Sequence, residues 1–312
     1  MAVVTALCGG VGGSKLALGL YRTLPPDSLT VIVNTADDLT FCGLHVSPDL
    51  DTCMYTLAGL ARKDVGWGIE GDTFEALDML RRYGTPTWFA VGDRDLATDV
   101  YRTHALSRGQ TLQMVTAEMA ARLEVRAGIL PMSNDPVATR LLTEDEWIDF
   151  QEYFVHRQHA APVSDVRYEG AETAHPAPGV TEALLNADVI VLVNSNPVLS
   201  ILPILAVPGI EDALQRSTAL TVAVSPLIGE SAVTGPAGEL MALRAQPSTA
   251  TGVAALYQDL IQGLVIDDLD ASYTADVQAT GIQVHVAQTM MRTVEDREQL
   301  AREVLEFACS LR

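Results

Sequence analysis

Short runs of consecutive apolar residues recur along the chain, separated by longer stretches with helical spacing. Residues 3–8 form the first run, and Gly9-Gly10-Val11-Gly12-Gly13 breaks it. From Ser14 the spacing turns helical, with Leu16, Leu20 and Leu24 in register until Pro25-Pro26 stops it. Residues 29–33 are again apolar and β-branched, so the chain opens with a strand–loop–helix–strand unit. The pattern predicts helices at about 52–62, 73–83 and 116–127 and a closing helix over 293–311. Further buried strands are predicted at 189–193, 220–224, 264–266 and 282–286. Strands that are apolar at every position, rather than at alternate ones, are covered on both faces, as in parallel sheets. Between about 149 and 178 the pattern is irregular and rich in His, Ala and Pro, which suits an antiparallel excursion or a cap. The fold expected is α/β: a doubly wound, mostly parallel, Rossmann-like sheet in one domain over 1–312. It carries a mainly helical insertion at about 52–128 and the irregular excursion at about 149–178.

Composition removes several classes of function. Hydrophobic residues make up 48% of the 312 and aromatic ones only 5%, a mixture that suits strands under helices better than an aromatic-rich sandwich. The formal charge of −20 repels a phosphate backbone, and no basic patch offsets it, so nucleic acid is not an expected partner. An anionic small substrate must therefore be met by local devices: amide-lined turns, a few Lys or Arg side chains, or a metal ion. Cys8, Cys42, Cys53 and Cys309 show no CxxC spacing, so neither a zinc site nor a disulfide framework is expected. No apolar run reaches the roughly 18 residues of a membrane span, and the N-terminus lacks a basic leader. The expected location is the cytoplasm.

The glycine cluster is the first feature with chemical content. Four glycines in five positions between a strand and a helix leave backbone amides open to a ligand phosphate, beside the positive end of the helix. Gly10-Val11-Gly12 begins a dinucleotide fingerprint, but Lys15 stands where its third glycine belongs, which disfavours a Rossmann oxidoreductase. Gly13-Ser14-Lys15-Leu16 does not complete a Walker loop either. Gly9, Gly10, Gly12, Gly13, Ser14 and Lys15 thus form a phosphate turn of another class, with Ser14 as N-cap and Lys15 as charge partner. Asp37 and Asp38 follow the second strand, and Asp49 and Asp51 lie in a turn ahead of a helix starting at Thr52. Carboxylates beside a phosphate turn suit Mg²⁺, which takes one or two of them plus substrate oxygens. Gly92-Asp93-Arg94-Asp95 is a charged turn, either a phosphate clamp or a surface ion-pair turn. Asn194-Ser195-Asn196-Pro197 and Ser225-Pro226 follow strands and offer small hydrogen-bonding groups. His156 and His159 read as surface residues, and no acyl-transfer motif is present.

Several motifs occur in one order along the chain: the glycine turn through Leu16, Asn34-Thr35-Ala36-Asp37-Asp38, Ser47-Pro48-Asp49-Leu50-Asp51-Thr52, Trp67-Gly68-Ile69, Gly92-Asp93-Arg94-Asp95-Leu96-Ala97-Thr98, Ile129-Leu130-Pro131-Met132-Ser133, Ser195-Asn196-Pro197 and Gly235-Pro236-Ala237-Gly238. Together they resemble the 2-phospho-L-lactate transferases of coenzyme F420 biosynthesis, the CofD/FbiA enzymes. The resemblance implies that the terminal ribityl hydroxyl of the deazaflavin Fo attacks the β-phosphorus of a guanosine-diphospho-linked three-carbon acid. GMP leaves, F420-0 or its dehydro form results, and Mg²⁺ is required. By motif, Asp37 and Asp51 become the catalytic and metal-binding candidates, with Asp38, Asp49 and Thr52 beside them. The glycine turn and Ser195-Asn196-Pro197 would cradle the guanosine diphosphate portion. Asp93, Arg94 and Asp95 would border the Fo pocket. Ala90 departs from the pattern, standing where archaeal relatives carry a basic residue that contacts Fo. Asp51 is a candidate to take the hydroxyl proton, so Asp51→Asn is expected to abolish turnover with thermal stability nearly intact. A homodimer is usual in the family. The competing reading is a non-catalytic nucleotide-sugar-binding regulator of the YvcK-like type, against which the Ser47–Thr52 and Gly92–Asp95 motifs argue.

Overall fold

In the computed structural model, β1 (Val4–Cys8) feeds directly into helix α1 (Gly10–Thr23), and the chain returns as β2 (Leu29–Val33). The structure describes residues 2–312 except Asp145, Glu230 and 233–236; for 231–232 and 237–239 it describes the backbone only. After β2 come a hairpin, β3 (Leu39–Phe41) and β4 (Leu44–Val46), and the helices α2 (Pro48–Leu57), α3 (Glu75–Arg82), α4 (Asp93–Ser107) and α5 (Leu112–Arg122). The chain re-enters the sheet as β5 (Gly128–Pro131) and leaves again for β6 (Ala138–Thr143), β7 (Glu146–Asp149) and β8 (Val163–Glu169), which form a separate antiparallel sheet. Helix α6 (Val180–Leu185) leads to β9 (Val189–Leu192), and α7 (Leu202–Leu205) and α8 (Ile210–Arg216) lead to β10 (Leu220–Val224). Two short strands, β11 (Leu227–Ile228) and β12 (Ser231–Ala232), and helices α9 (Ala237–Leu243) and α10 (Ala250–Leu256) precede β13 (Gly263–Asp267). Helix α11 (Thr274–Gln278), β14 (Gln283–Ala287) and α12 (Val294–Ser310) complete the chain.

The seven-stranded sheet runs β14-β13-β10-β9-β1-β2-β5, and every pairing in it is parallel. The chain builds outward from β1 to β5 on one side, then crosses to β9 and builds outward to β14 on the other. The strand order therefore reverses between β1 and β9, and such a reversal opens a crevice at the carboxyl ends of the strands. Both faces are covered. Val4, Ala6 and Cys8 of β1 pack with residues of α1, α2 and α12, while Leu7 joins a second core with Ile190, Leu192, Val198 and Ile204. That two-sided burial is why the strands read as continuous apolar runs. The apolar segment Pro197–Leu205 is part of this second core; among the described residues no single helix is long and apolar enough to cross a membrane.

Several elements depart from the sequence pattern. Helix α2 starts at Pro48, so Asp49 and Asp51 occupy its first turn rather than a turn ahead of it. Helix α5 starts at Leu112, capped by the Thr111 hydroxyl. The apolar run at 88–91 is loop, and the charged turn after it is the start of the 15-residue helix α4. The irregular excursion is the β6–β8 sheet, which begins earlier than expected, at Ala138. Phe41, Val46, Leu77 and Val91 form a small core of their own under the helical insertion.

Candidate active site

A cavity of about 670 Å³ occupies the crevice at the reversal point, within the usual size of small-molecule sites. Gly9, Gly10, Val11 and Gly12 line it from the end of β1, and Asp37 from beyond β2. Asn194, Ser195 and Asn196 do so from beyond β9, and Pro226 from beyond β10.

Helix α1 takes Gly9 as its N-cap, so most of the glycine cluster is its first turn. Ser14, expected as the N-cap, lies inside the helix and donates its hydroxyl to the Gly10 carbonyl at 2.8 Å. The Gly9 N-cap makes no side-chain capping bond. Ser195 accepts from the Gly9 N–H at 3.0 Å and donates to the Gly9 carbonyl at 2.6 Å, a latch between the ends of β1 and β9. A Cβ on Gly9 would lie 2.6 Å from Ser200 Cβ, and one on Gly13 would run into Ser195 Oγ and lie 2.7 Å from Val193 Cγ2. Gly10 has φ +65°, which favours glycine. Lys15 lines the cavity half-buried, and its pKa is lowered by burial and by the charge of Arg297. Gly13, Ser14 and Pro197 lie behind the wall rather than on it, and the Asn196 side chain accepts from Val198 N and Leu199 N, capping the turn that follows. Of the expected phosphate cradle, the surface offered to a ligand is thus the open amide end of α1 with Lys15, Ser195 and Asn196.

The aspartates separate into distinct environments. Asp49 accepts from Asn34 Nδ2 at 3.0 Å and from the Gly10 backbone N–H, and burial pushes its carboxyl up to about 6. Asp37 is buried beside it with Oδ1 unpartnered; burial first, then the Asp49 charge, raises its pKa well above the carboxylate range. Asp38 turns away from the cavity, accepting from Ser47 Oγ at 2.8 Å and facing His45 Nε2 at 3.0 Å. Asp51 is bound by the fully buried guanidinium of Arg102, which also donates to Asp99 Oδ1 at 2.8 Å and the His45 carbonyl at 3.2 Å. Burial raises the Asp51 pKa while Arg102 pulls it down. Sequence reasoning missed Arg102 and Asp99. Their spacing of three residues, on one face of α4, was the available signal, but that helix was not anticipated. Since Asp51 faces a buried cation, Asp51→Asn is expected to lower stability, where the sequence alone suggests little effect.

Only one member of the Gly92–Asp95 motif reaches the cavity. Asp93 accepts from Thr73 Oγ1 and from the backbone N–H groups of Glu75 and Ala76, capping α3. Asp72, just before α3, reciprocally caps α4 by accepting from Arg94 N at 2.9 Å and Asp95 N at 3.1 Å. Gly92 is required because a Cβ there would overlap the Asp72 carboxylate. Arg94 is exposed and reaches the Glu70 carbonyl. Asp95 alone of the motif lines the cavity, whose lining also includes Trp67, Phe89, Ala90, Phe150 and Phe154. Arg62 lies over the Trp67 ring at 5.6 Å. Outside the cavity rim His156 stacks on Trp88 and His159 on Phe154. The Gly235-Pro236 part of the last sequence motif lies outside the described residues.

Among the described residues no group of three or more His, Cys, Asp or Glu side chains is arranged to hold a metal ion by itself. A hard cation that keeps substrate oxygens needs only one or two carboxylates. Asp37 and Asp49 fit that demand: both are buried, each borders the glycine turn or β2, and Asp37 Oδ1 has no other partner. Asp51 has one oxygen committed to Arg102.

Comparison with known proteins identifies the family. Residues 4–306 match the family model described as 2-phospho-L-lactate transferase CofD. A phosphoenolpyruvate transferase of Streptomyces griseus is 41% identical over 99% of both chains. A 2-phospho-L-lactate transferase of Methanocaldococcus jannaschii is 36% identical, again over 99% of both. A crystal structure of a UPF0052 family member from Bacillus halodurans superposes with a TM-score of 0.66 at 19% identity, covering 97% of this chain and 98% of that one.

Proposed function

The chain belongs to the CofD family of 2-phospho-L-lactate transferases, and from that premise we propose that it moves a phosphorylated three-carbon acid from a guanosine-diphospho-linked donor onto the ribityl hydroxyl of Fo. The supporting observation is the composition of one cavity, lined both by a helix end with buried carboxylates and by aromatic side chains. The first suits a diphosphate, the second a planar tricyclic acceptor. Phosphoryl transfer of this kind needs positioning and charge neutralisation more than covalent catalysis. The α1 amides with Lys15, Ser195 and Asn196 hold the diphosphate portion. Asp37 would hold Mg²⁺, with Asp49 as second ligand. When bound there, Mg²⁺ neutralises the phosphate charges that would otherwise repel these carboxylates. Thr52, Ala90 and Asp95 border the acceptor. Phosphoenolpyruvate is favoured as the acid, because the Streptomyces relative named for it is more similar than the archaeal phospholactate enzyme. A homodimer rests on the family resemblance.

The test is incubation of the protein with Fo, Mg²⁺ and, separately, the guanylylated forms of phosphoenolpyruvate, phospholactate and phosphoglycerate. GMP release with a product of the mass of F420-0 or its dehydro form is expected, and EDTA should stop it. Binding of a uridine-diphospho-sugar with no turnover of any guanylylated acid would overturn the transferase reading, and undiminished activity in EDTA would refute the metal.

A further inference from the structure

Asp51 is the aspartate that the sequence puts forward to take the acceptor proton, yet its environment suits another task. One of its oxygens is committed to a guanidinium that is itself fully buried. Asp37 and Asp49 sit at the glycine turn, on the diphosphate side. Asp95 differs from all three. It lines the cavity from the first turn of α4, as Phe89 and Ala90 do from the loop before it, and has no cationic partner in hydrogen-bond range among the described contacts. The Tyr55 hydroxyl donates to its Oδ1 at 2.9 Å and lies 2.7 Å from the Thr98 hydroxyl, so the carboxyl group is oriented without being neutralised.

Resting on the transferase reading, we propose that Asp95 is the proton acceptor for the attacking hydroxyl, that Tyr55 orients it, and that Asp51 serves the charge balance of the site through Arg102. In the step, the acceptor oxygen forms a bond to the β-phosphorus of the donor. The bond from that phosphorus to the oxygen bridging to GMP breaks, and GMP keeps the electron pair. The hydroxyl proton passes to the free oxygen of Asp95 and then to solvent. The groups facing Asp95 are Asp51 and Tyr55 from α2, Asp99 and Arg102 from α4 and Asp72 from the loop before α3. Burial, with the charge of Asp51 second, brings the Asp95 carboxyl to about 7, while the Tyr55 hydrogen bond and Arg102 oppose that rise. A base of this strength is suited to work near neutral pH.

The test is single-turnover GMP release as a function of pH for the wild type, Asp95→Asn, Asp95→Glu and Tyr55→Phe, with donor binding measured by calorimetry. The wild-type rate should rise with pH through about 7. Asp95→Asn should lose about 10²–10⁴-fold in rate, bind the donor normally and lack that rise, and Asp95→Glu should recover part of the rate. Tyr55→Phe removes a hydrogen bond to the charged form, so the rise should move to higher pH. A near-normal rate in Asp95→Asn, or an unchanged pH rise in that variant, overturns the proposal while leaving the transferase reading in place. If Asp95→Asn does not fold, an unmoved rise in Tyr55→Phe overturns it instead. A wild type that releases no GMP from any guanylylated acid sinks the transferase reading and this inference with it.

Discussion

Arg102 heads the large fully buried side chains among the described residues, and it sits between Asp51, Asp99 and the His45 carbonyl. A guanidinium taken out of water is tolerated only while its carboxylates remain. Arg102→Met leaves Asp51 and Asp99 facing each other without a cation, and we expect a loss of about 3–5 kcal/mol in unfolding free energy, read by urea denaturation. Asp51→Asn keeps Asp99 for the arginine, so a smaller loss is expected in the same experiment, together with much reduced turnover. Equal stability of wild type and Arg102→Met would contradict the ion-pair account. At this scale the sequence was legible unevenly. Asp37, Asp49, Asp51 and Asp95 are all named from their motifs. Arg102 is not, because Tyr101-Arg102-Thr103 carries no local mark and Asp51 is brought to it from 51 residues away in the chain.

Elements show where local pattern suffices and where it does not. Strand β10 coincides with the predicted 220–224, since a buried parallel strand is apolar at each position. Helix α4 reads as a charged turn in the sequence because its N-terminus is capped by Asp72 from the loop before α3, a contact 22 residues away that no local signal marks. The Asp93 carboxylate likewise spends its bonds on α3. The β6–β8 excursion was placed too late because its first strand alternates buried and half-buried residues, a weaker signal than a continuous run. The glycine turn is the most demanding junction. Gly13→Ala places a methyl against Val193 and against Ser195, whose bonds to Gly9 latch the end of β1 to that of β9. Overpacking there should cost about 1–3 kcal/mol and weaken guanine-nucleotide binding in the same variant, checked by thermal melting and calorimetry. Unchanged affinity would mean that the α1 end is not the diphosphate cradle.

For the molecule as a whole, acidity and burial act together. The protein carries a formal charge of −20, and its site encloses aspartates whose carboxyls are raised to about 6 in Asp49, about 7 in Asp95 and about 8 in Asp99. These groups hold more protons folded than unfolded between the ordinary carboxylate range and about 8. Stability linked to them therefore falls as pH rises through that window. Self-repulsion of the net charge acts in the same direction. Thermal melting without metal or donor should accordingly give a higher midpoint near pH 5.5 than near pH 8.5, for linkage of the sign described. Exposed carboxylates with lowered pKa, such as Asp93 and Asp296, reverse the trend only on further acidification. A midpoint that rises between the two pH values would show that the buried aspartates are ionised at little cost.

What the sequence determined by itself was the sheet class, the glycine turn at the end of its first strand, and the ordered motifs that mark the CofD family. Those features are local: apolar runs, close-packed glycines and short motifs are written in neighbouring residues. Tertiary structure decided which oxygens remain free. Asp93 caps a helix, Asp38 faces Ser47 and His45, Asp51 meets Arg102, and Asp95 reaches the cavity with one hydrogen bond from Tyr55. A carboxylate's role depends on its partners and its distance from water, and both are set by segments that meet only when the sheet and its insertion pack together.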